Sequence, residues 1–296
     1  MNRLSGIAEI FQILIDHMKT YELTGAGIVF IVILIASIWL VQLIAFGFEK
    51  IFQKNVNGWI RCILVILLSF SVTLSTVYAW LNQVQPASEK VNDALISADS
   101  VIVHKTDYGW FFDSWGTENA MVFYGEEQID ETAYAPLMRA CANQGLDCFL
   151  LEPQFHRHYL DDSCMPEVMN RHSYPGFFTG GIGNSAASAV SYANAYPEVF
   201  DGVILFDAYP IETMNEDSVL IAIYAAIDGI SDHGGYEEAK KSFPLHTREA
   251  SIDGAVHAGF AETAVSEVSE KASISPELQR QIAGQMIRQA LIHGGK

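Results

Sequence analysis

The stretch "FTGGIGNSAASA" (residues 178–189) joins a short hydrophobic run to a helix-like segment through small residues. This pattern is typical of a strand-to-helix turn that carries a nucleophilic serine, because the strained turn leaves no room for β-carbons beside it. Further along, Asp228 follows a strand-like run, and His257 lies in a small-residue loop after the last such run. A serine activated by a histidine that a carboxylate orients can attack an acyl bond. The order and spacing therefore predict a triad of Ser185, Asp228 and His257.

Alternating strand-like and helix-like runs must position these residues. Runs of strand-forming residues predict strands at 101–105, 110–113, 120–124, 148–152, 176–182, 202–207, 220–225 and 247–253. Helical spacing predicts helices at 132–143, 184–195 and 236–241, and a closing helix from 275. Such alternation predicts a mostly parallel sheet with helices on both faces, reactive groups at the carboxyl ends of its strands, and an antiparallel edge formed by the first two strands. The layout is similar to the α/β-hydrolase fold.

Two apolar runs precede this domain. Residues 25–48 carry no charge and match the thickness of a bilayer core, and residues 59–81 carry only Arg61, close to their end. They predict a two-helix transmembrane hairpin over residues 25–81, with the lipid bilayer as a partner. Residues 1–24 have apolar residues at helical spacing and predict an amphipathic segment, either a helix in the membrane interface or a helical lead-in.

Positive charge predicts the orientation of this hairpin. Lys50 and Lys54 lie between the two runs, with Arg61 just inside the second. By the positive-inside rule this loop is cytoplasmic. Both chain ends would then lie outside the cytoplasm, which predicts a multi-pass protein of the cell membrane with an extracytoplasmic hydrolase domain.

The remainder of the chain is acidic, and its first residues are polar. Residues 82–296 hold 12 Lys and Arg against 31 Asp and Glu, which argues against binding to nucleic acid. The polar composition of residues 82–90 predicts a linker, so we expect the soluble domain to cover residues 91–296.

Cys141 and Cys148 could form a disulfide or remain as two buried thiols.

Four stretches of this domain resemble a known family. They read "FYGEEQIDETAYAPLMRACANQGLDCFLLEPQF", "GGIGNSAASAVSYANAYPEVFDGVILFDAYP", "IYAAIDGI" and "IDGAVHAGF", and they look like the α/β-hydrolase fold-5 family, relatives of dienelactone hydrolase. Bacterial members of that family often follow an N-terminal membrane anchor. The resemblance implies serine-hydrolase ancestry, with Asp228 as the acid and His257 as the base.

The turn before the helix at 184–195 departs from that family. The family's turn reads like GGHSLGGAMA, and an ungapped overlay puts Gly183 where the nucleophilic serine belongs. Pro197 lies 14 residues past Gly183, the spacing usual in this fold, and supports the overlay. A second register makes Ser185 the nucleophile, because small residues flank it as well, but it requires the following helix to be two residues shorter. Both registers remain open from the sequence.

The loop after the strand at 120–124 also departs from the sequence pattern of that family. In the family this segment resembles YPGGKV and helps to bind the developing oxyanion, whereas here it reads "YGEEQI". Backbone N–H groups near Gly125 and Ala186 would receive the oxyanion. Glu126 or Glu127 would bring a carboxylate towards the same place and oppose that stabilisation.

The stretch "FHRHYLDD" (residues 155–162) contains two histidines and two aspartates that could hold a divalent metal. We interpret it as solvated surface, and we expect no metal and no other cofactor.

Two functions follow from these patterns. The first is a membrane-anchored serine hydrolase acting on a small molecule with an ester or similar acyl bond, in which Ser185 attacks, His257 carries the proton and Asp228 orients the imidazole. The alternative is an inactive pseudo-hydrolase that binds a ligand or partner at the membrane. Gly183, Glu126 and Glu127 favour the alternative.

Overall fold

The structure is a computed structural model of the chain, and it describes residues 34–43, 46–47, 58–98, 100–116, 118–158, 163–227, 233–264 and 272–292. The chain divides into two compact units, residues 1–83 and 84–296. The boundary falls inside the segment that the sequence predicts as a linker.

The first unit contains two helices, α1 (Leu34–Leu43) and α2 (Gly58–Leu81). Among the described residues, α2 is the one helix that is long and apolar enough to cross a membrane, a finding that rests on length and composition. Ser37 of α1 lies against α2, with its hydroxyl oxygen 3.3 Å from that of Thr73. The first predicted span is helical where it is described, but half of it and the segment 1–24 lie outside the described residues, so a membrane crossing by this span stays a prediction.

The second unit is built on an eight-stranded sheet in the order β1-β2-β4-β3-β5-β6-β7-β8. All strand pairs from β4 to β8 are parallel, whereas β1 and β2 add an antiparallel edge. The predicted mostly parallel sheet and its antiparallel edge are therefore confirmed. The strands are β1 (Ile102–Lys105), β2 (Gly109–Asp113), β3 (Asn119–Tyr124), β4 (Asp147–Leu151), β5 (Gly176–Ile182), β6 (Gly202–Phe206), β7 (Val219–Ala225) and β8 (His246–Ile252).

The side chains of the central strands alternate between two buried clusters, so both faces of the sheet are covered. In β3, Met121 and Phe123 belong to one cluster, while Ala120 and Val122 belong to the other. Cys141 and Cys148 are free, buried thiols in the first cluster. The helices are α3 (Val91–Ala94), α4 (Ala135–Ala142), α5 (Cys164–Arg171), α6 (Ala186–Ala195), α7 (His233–Ala239) and α8 (Pro276–Ile292).

Candidate active site

Three neighbouring parallel strands end at one edge of the sheet. In the register, Tyr124 of β3 pairs with Gly181 of β5, and Ile182 of β5 pairs with Phe206 of β6. The residues that follow these strands therefore emerge side by side, as expected for the carboxyl ends of a parallel sheet. Glu126, Gly183 and Asp207 come from these three tips, and His257 comes from the turn after β8.

The tip of β5 is a sharp turn at Gly183. Its φ of +51° lies in the left-handed region, where a residue with a side chain is strained. A β-carbon on Gly183 would lie 2.9 Å from the carboxyl carbon of Glu126 and closer still to its Oε1. Gly181 must also be small, since a β-carbon there would meet the backbone of Ser185 and Ala186 at 3.0 Å. The carboxylate of Glu126 thus fills the space above the turn.

Ser185 lies two residues further on and is buried at 2% exposure. Its hydroxyl accepts the N–H of Ile182 at 2.9 Å and lies 2.7 Å from the carbonyl of Tyr124 and 2.8 Å from that of Ile182. Its single proton is donated to one of these two carbonyls. The hydroxyl therefore ties the turn to β3 through backbone groups. The N–H of Ala186 donates to the carbonyl of Gly183 within the same turn.

His257 is held between two carboxylates. Its Nδ1 lies 2.6 Å from Oδ2 of Asp207, and its Nε2 lies 3.1 Å from Oε2 of Glu126. The side chain of Asp207 is 2% exposed, whereas those of Glu126 and His257 are 23% and 33% exposed. The imidazole and Glu126 are therefore partly accessible to solvent, whereas Asp207 is not.

The backbone positions Asp207 for this contact. Asp207 follows β6 directly with a φ of +45°, an unusual conformation for a residue with a side chain. Its N–H donates to the carbonyl of Ile223, and its Oδ1 accepts the N–H of Ala225, both in β7. Because β6 and β7 hold it from two directions, the carboxylate has one orientation towards the imidazole.

The charge state of His257 follows from these contacts. Burial lowers the pKa of its imidazole, but the hydrogen bonds to Asp207 and Glu126 and the charges of both carboxylates outweigh burial and raise the pKa to about 10. At neutral pH the ring is therefore an imidazolium between two carboxylates. In that state it donates at both nitrogens and cannot accept a proton.

The loop that carries Glu126 is packed tightly. A β-carbon on Gly125 would meet the ring of Tyr134 at 2.9 Å. The carbonyl of Gly125 lies 2.6 Å from Nε2 of His158, and burial lowers the pKa of His158 to about 4, so its neutral ring donates to this carbonyl. The hydroxyl of Tyr134 lies 3.5 Å from Oε2 of Glu126. These contacts hold the carboxylate against His257.

The structure brings together four of the residues that the sequence singled out: Gly125, Glu126, Gly183 and His257. Asp228 lies outside the described residues. The carboxylate bonded to His257 is that of Asp207, which the sequence reasoning did not select. Its signal was its place directly after the fully buried run Gly202–Phe206.

The histidines of the stretch 155–162 have partners of their own. Nδ1 of His156 lies 2.5 Å from the carboxylate of Glu131, and His158 faces Gly125. Within the described parts of the chain, no group of three or more His, Cys, Asp or Glu residues could hold a metal ion. Asp161 and Asp162 lie outside them.

Several known proteins are similar to this chain in structure or in sequence. One similar solved structure is a predicted CIB-like hydrolase from Thermoplasma acidophilum, with 10% sequence identity and a TM-score of 0.46 over 64% of this chain and 99% of that one. A second is dienelactone hydrolase from Anabaena variabilis, with 11% identity and a TM-score of 0.44 over 66% of this chain and 99% of that one. A third is carboxylesterase CesB from Bacillus subtilis, with 8% identity and a TM-score of 0.45 over 70% of this chain and 96% of that one. No curated protein sequence matches. The sequence model of the family described as Alpha/beta hydrolase family matches residues 120–281, more than half of the chain. The chain therefore belongs to the alpha/beta hydrolase family.

Proposed function

We propose that this protein is a membrane-anchored member of the family that has lost serine-based acyl transfer and serves as a module that binds a ligand or partner. One observation carries the proposal: the carboxylate of Glu126 occupies the volume that a side chain at Gly183 would need. Gly183 is the position where a nucleophile would stand, because it forms the strained turn between β5 and α6.

Three steps of serine catalysis are blocked in this arrangement. Gly183 has no hydroxyl, and the hydroxyl of Ser185 is engaged with backbone groups. The imidazolium of His257 has no free nitrogen to take a proton from a nucleophile. The charge of Glu126 would repel an oxyanion that forms beside it. Together these features support a binding role over turnover of an acyl substrate.

The membrane parts of the proposal rest on the N-terminal region. The apolar helix α2 supports an anchor in the lipid bilayer, and the small polar contact between Ser37 and Thr73 is of the kind that packs transmembrane helices together. Lys50 and Lys54 between the two apolar runs support a cytoplasmic loop and an extracytoplasmic domain.

The rival function is an active serine hydrolase that acts on an ester or similar acyl bond through Ser185. A fluorophosphonate probe applied to the full chain in detergent separates the two. We expect no labelling of the native protein. We expect labelling of the double variant Glu126→Gly/Gly183→Ser, because removal of the carboxylate frees both the space for a serine and the Nε2 of His257.

Two matched variants make the test specific. Gly183→Ser alone should stay unlabelled, because Glu126 still lies where the serine side chain would stand and still engages Nε2 of His257. Adding Ser185→Ala to the double variant should leave labelling in place, since Ser185 has a structural role. Labelling of the native protein that Ser185→Ala abolishes would establish the rival. A folded double variant that takes no label would show that Asp207 and His257 do not form a working acid–base pair.

A further inference from the structure

The chain that follows α2 is hydrogen-bonded to the loop that carries Glu126. We call residues 85–88 the linker segment. The N–H of Gln85 donates to the carbonyl of Gln128 at 2.7 Å, and the carbonyl of Gln85 accepts the N–H of Asp130 at 3.0 Å. Gln85 therefore pairs in parallel with Ile129, three residues past Glu126. The linker segment extends this loop as an added strand would.

The same segment is bonded to the loop that follows His257. The carbonyl of Pro86 accepts the N–H of Ala264 at 2.8 Å, and the N–H of Ser88 donates to the carbonyl of Glu262 at 2.9 Å. Ala87 thus pairs antiparallel with Thr263. Glu262 lies five residues past His257, just beyond the short turn that presents the imidazole.

The loop that follows His257 is also bonded to α8. The guanidinium of Arg280 donates to the carboxylate of Glu262 at 2.8 Å and to the carbonyls of Gly259 and Ala261 at 3.2 and 3.3 Å. Arg280 is buried. The N–H of Glu262 also donates to the carbonyl of Ala133 at 2.8 Å. The His257 loop is therefore held by α8, by Ala133 and by the linker segment.

We propose that the linker segment is a positioning element of the candidate site, which helps to set the separation of Glu126 and His257 by pairing with both of their loops. Its contacts are backbone hydrogen bonds, so they place the two loops whatever side chains the segment carries. The segment begins four residues after the end of α2 in the sequence, so the chain that leaves the membrane helix becomes part of the site. This inference concerns geometry and holds whether or not the site turns over a substrate.

The test changes the length of the linker segment and reads the environment of His257. Two glycines are inserted between Pro86 and Ala87, which separates the part bonded to 128–130 from the part bonded to 262–264. The control carries the same insertion between Asn82 and Gln83, ahead of both sets of bonds. His257 is followed by NMR of 13C-labelled histidines in the full chain in detergent, and its signal is assigned by its loss in His257→Gln.

We expect the first insertion to lower the pKa of His257 from about 10 by roughly 1–2 units, because a carboxylate that withdraws from 3.1 Å no longer favours the imidazolium. The control should titrate like the native protein. If both insertions leave the titration unchanged in folded protein, the linker segment does not position the site.

A measurement on the unmodified protein covers the case in which the insertion prevents folding. Amide hydrogen exchange should show slow exchange at Gln85, Ser88, Asp130 and Ala264, the four N–H donors of this pairing. We expect their protection to be lost together as denaturant is added. Exchange at these amides as fast as in an unprotected loop would overturn the proposal. The exchange result depends neither on probe labelling nor on the pKa of His257, so it separates a failure of this inference from a failure of the proposed function.

Discussion

Replacing Glu126 by glutamine should make His257 titrate nearer to neutral pH. The substitution keeps the size of the side chain and an oxygen that can face Nε2, but it removes one of the two negative charges beside the ring. The variant therefore isolates the charge of Glu126 from its volume.

The magnitude follows from the geometry of the two carboxylates. An opposite charge within about 4–6 Å shifts a pKa by roughly 1–3 units, and Glu126 lies 3.1 Å from the ring. Its side chain is 23% exposed and so is partly screened, whereas Asp207 is 2% exposed and 2.6 Å away. We expect Glu126→Gln to lower the pKa of His257 from about 10 by roughly 1–2 units, and Asp207→Asn to lower it further.

NMR titration of 13C-labelled histidine between pH 5 and pH 11 measures both shifts, with Tyr134→Phe as the control. Tyr134→Phe removes a neutral hydroxyl that lies 3.5 Å from Glu126 and leaves both carboxylates in place, so this variant should change the titration far less than Glu126→Gln. A native pKa near 6.5, or a Glu126→Gln variant that titrates like the native protein, would refute the charge state on which the proposed function depends.

Two further outcomes follow from the same contacts. Ser185→Ala should lower the free energy of unfolding by about 1–3 kcal/mol, measured by chemical denaturation, because the N–H of Ile182 and one backbone carbonyl lose their partner in a buried place. Stability should also depend on pH through His257: its folded pKa of about 10 exceeds the unfolded value of about 6.5, so its contribution is full below pH 6.5 and is lost as the pH rises through 10. We expect this loss to be roughly 2 kcal/mol for a ring one-third exposed, and to be absent in His257→Gln.

The sheet was predictable because runs of strand-forming residues alternate along the chain with runs at helical spacing. The helix α5 was not predicted, since Cys164–Arg171 is short and carries a proline in its first turn. The predicted helix at 132–143 begins at Ala135 because residues 131–134 form a tighter 3-10 turn. Such differences at element ends arise from local hydrogen bonding that periodicity does not encode.

The acid that contacts His257 was not predictable from spacing. Neighbouring parallel strands lie about 4.8 Å apart, so a carboxylate at the tip of β6 or of β7 can reach the same imidazole. Asp207 stands directly at the end of β6, whereas Asp228 stands three residues beyond the end of β7. The choice of Asp207 depends on its left-handed backbone and its bond to Ala225, which only the folded chain shows.

The position of Glu126 was predictable only in part. The sequence placed a carboxylate near the oxyanion loop, but its contact with His257 depends on how the loop folds, including the left-handed Gln128 and the lack of a β-carbon at Gly125. Patterns of residue type do not carry that information. The pairing of the loop with Gln85 is likewise a long-range contact that no local motif signals.

Under the proposed loss of the nucleophile, Gly183 and Glu126 are two parts of one change. With Glu126 in this position, a side chain at Gly183 would overlap its carboxylate, so a nucleophile could stand there only if the side chain of Glu126 moved away or was absent. With Gly183 in place, a small residue at 126 would remove the carboxylate that faces Nε2 of His257 and would leave a space above the turn. The carboxylate fills that space and binds the imidazolium at once, so each residue makes the other favourable. In the proposed binding role, the pair of Asp207 and His257 is stabilised by a carboxylate that lies where the hydroxyl of a serine at Gly183 would stand.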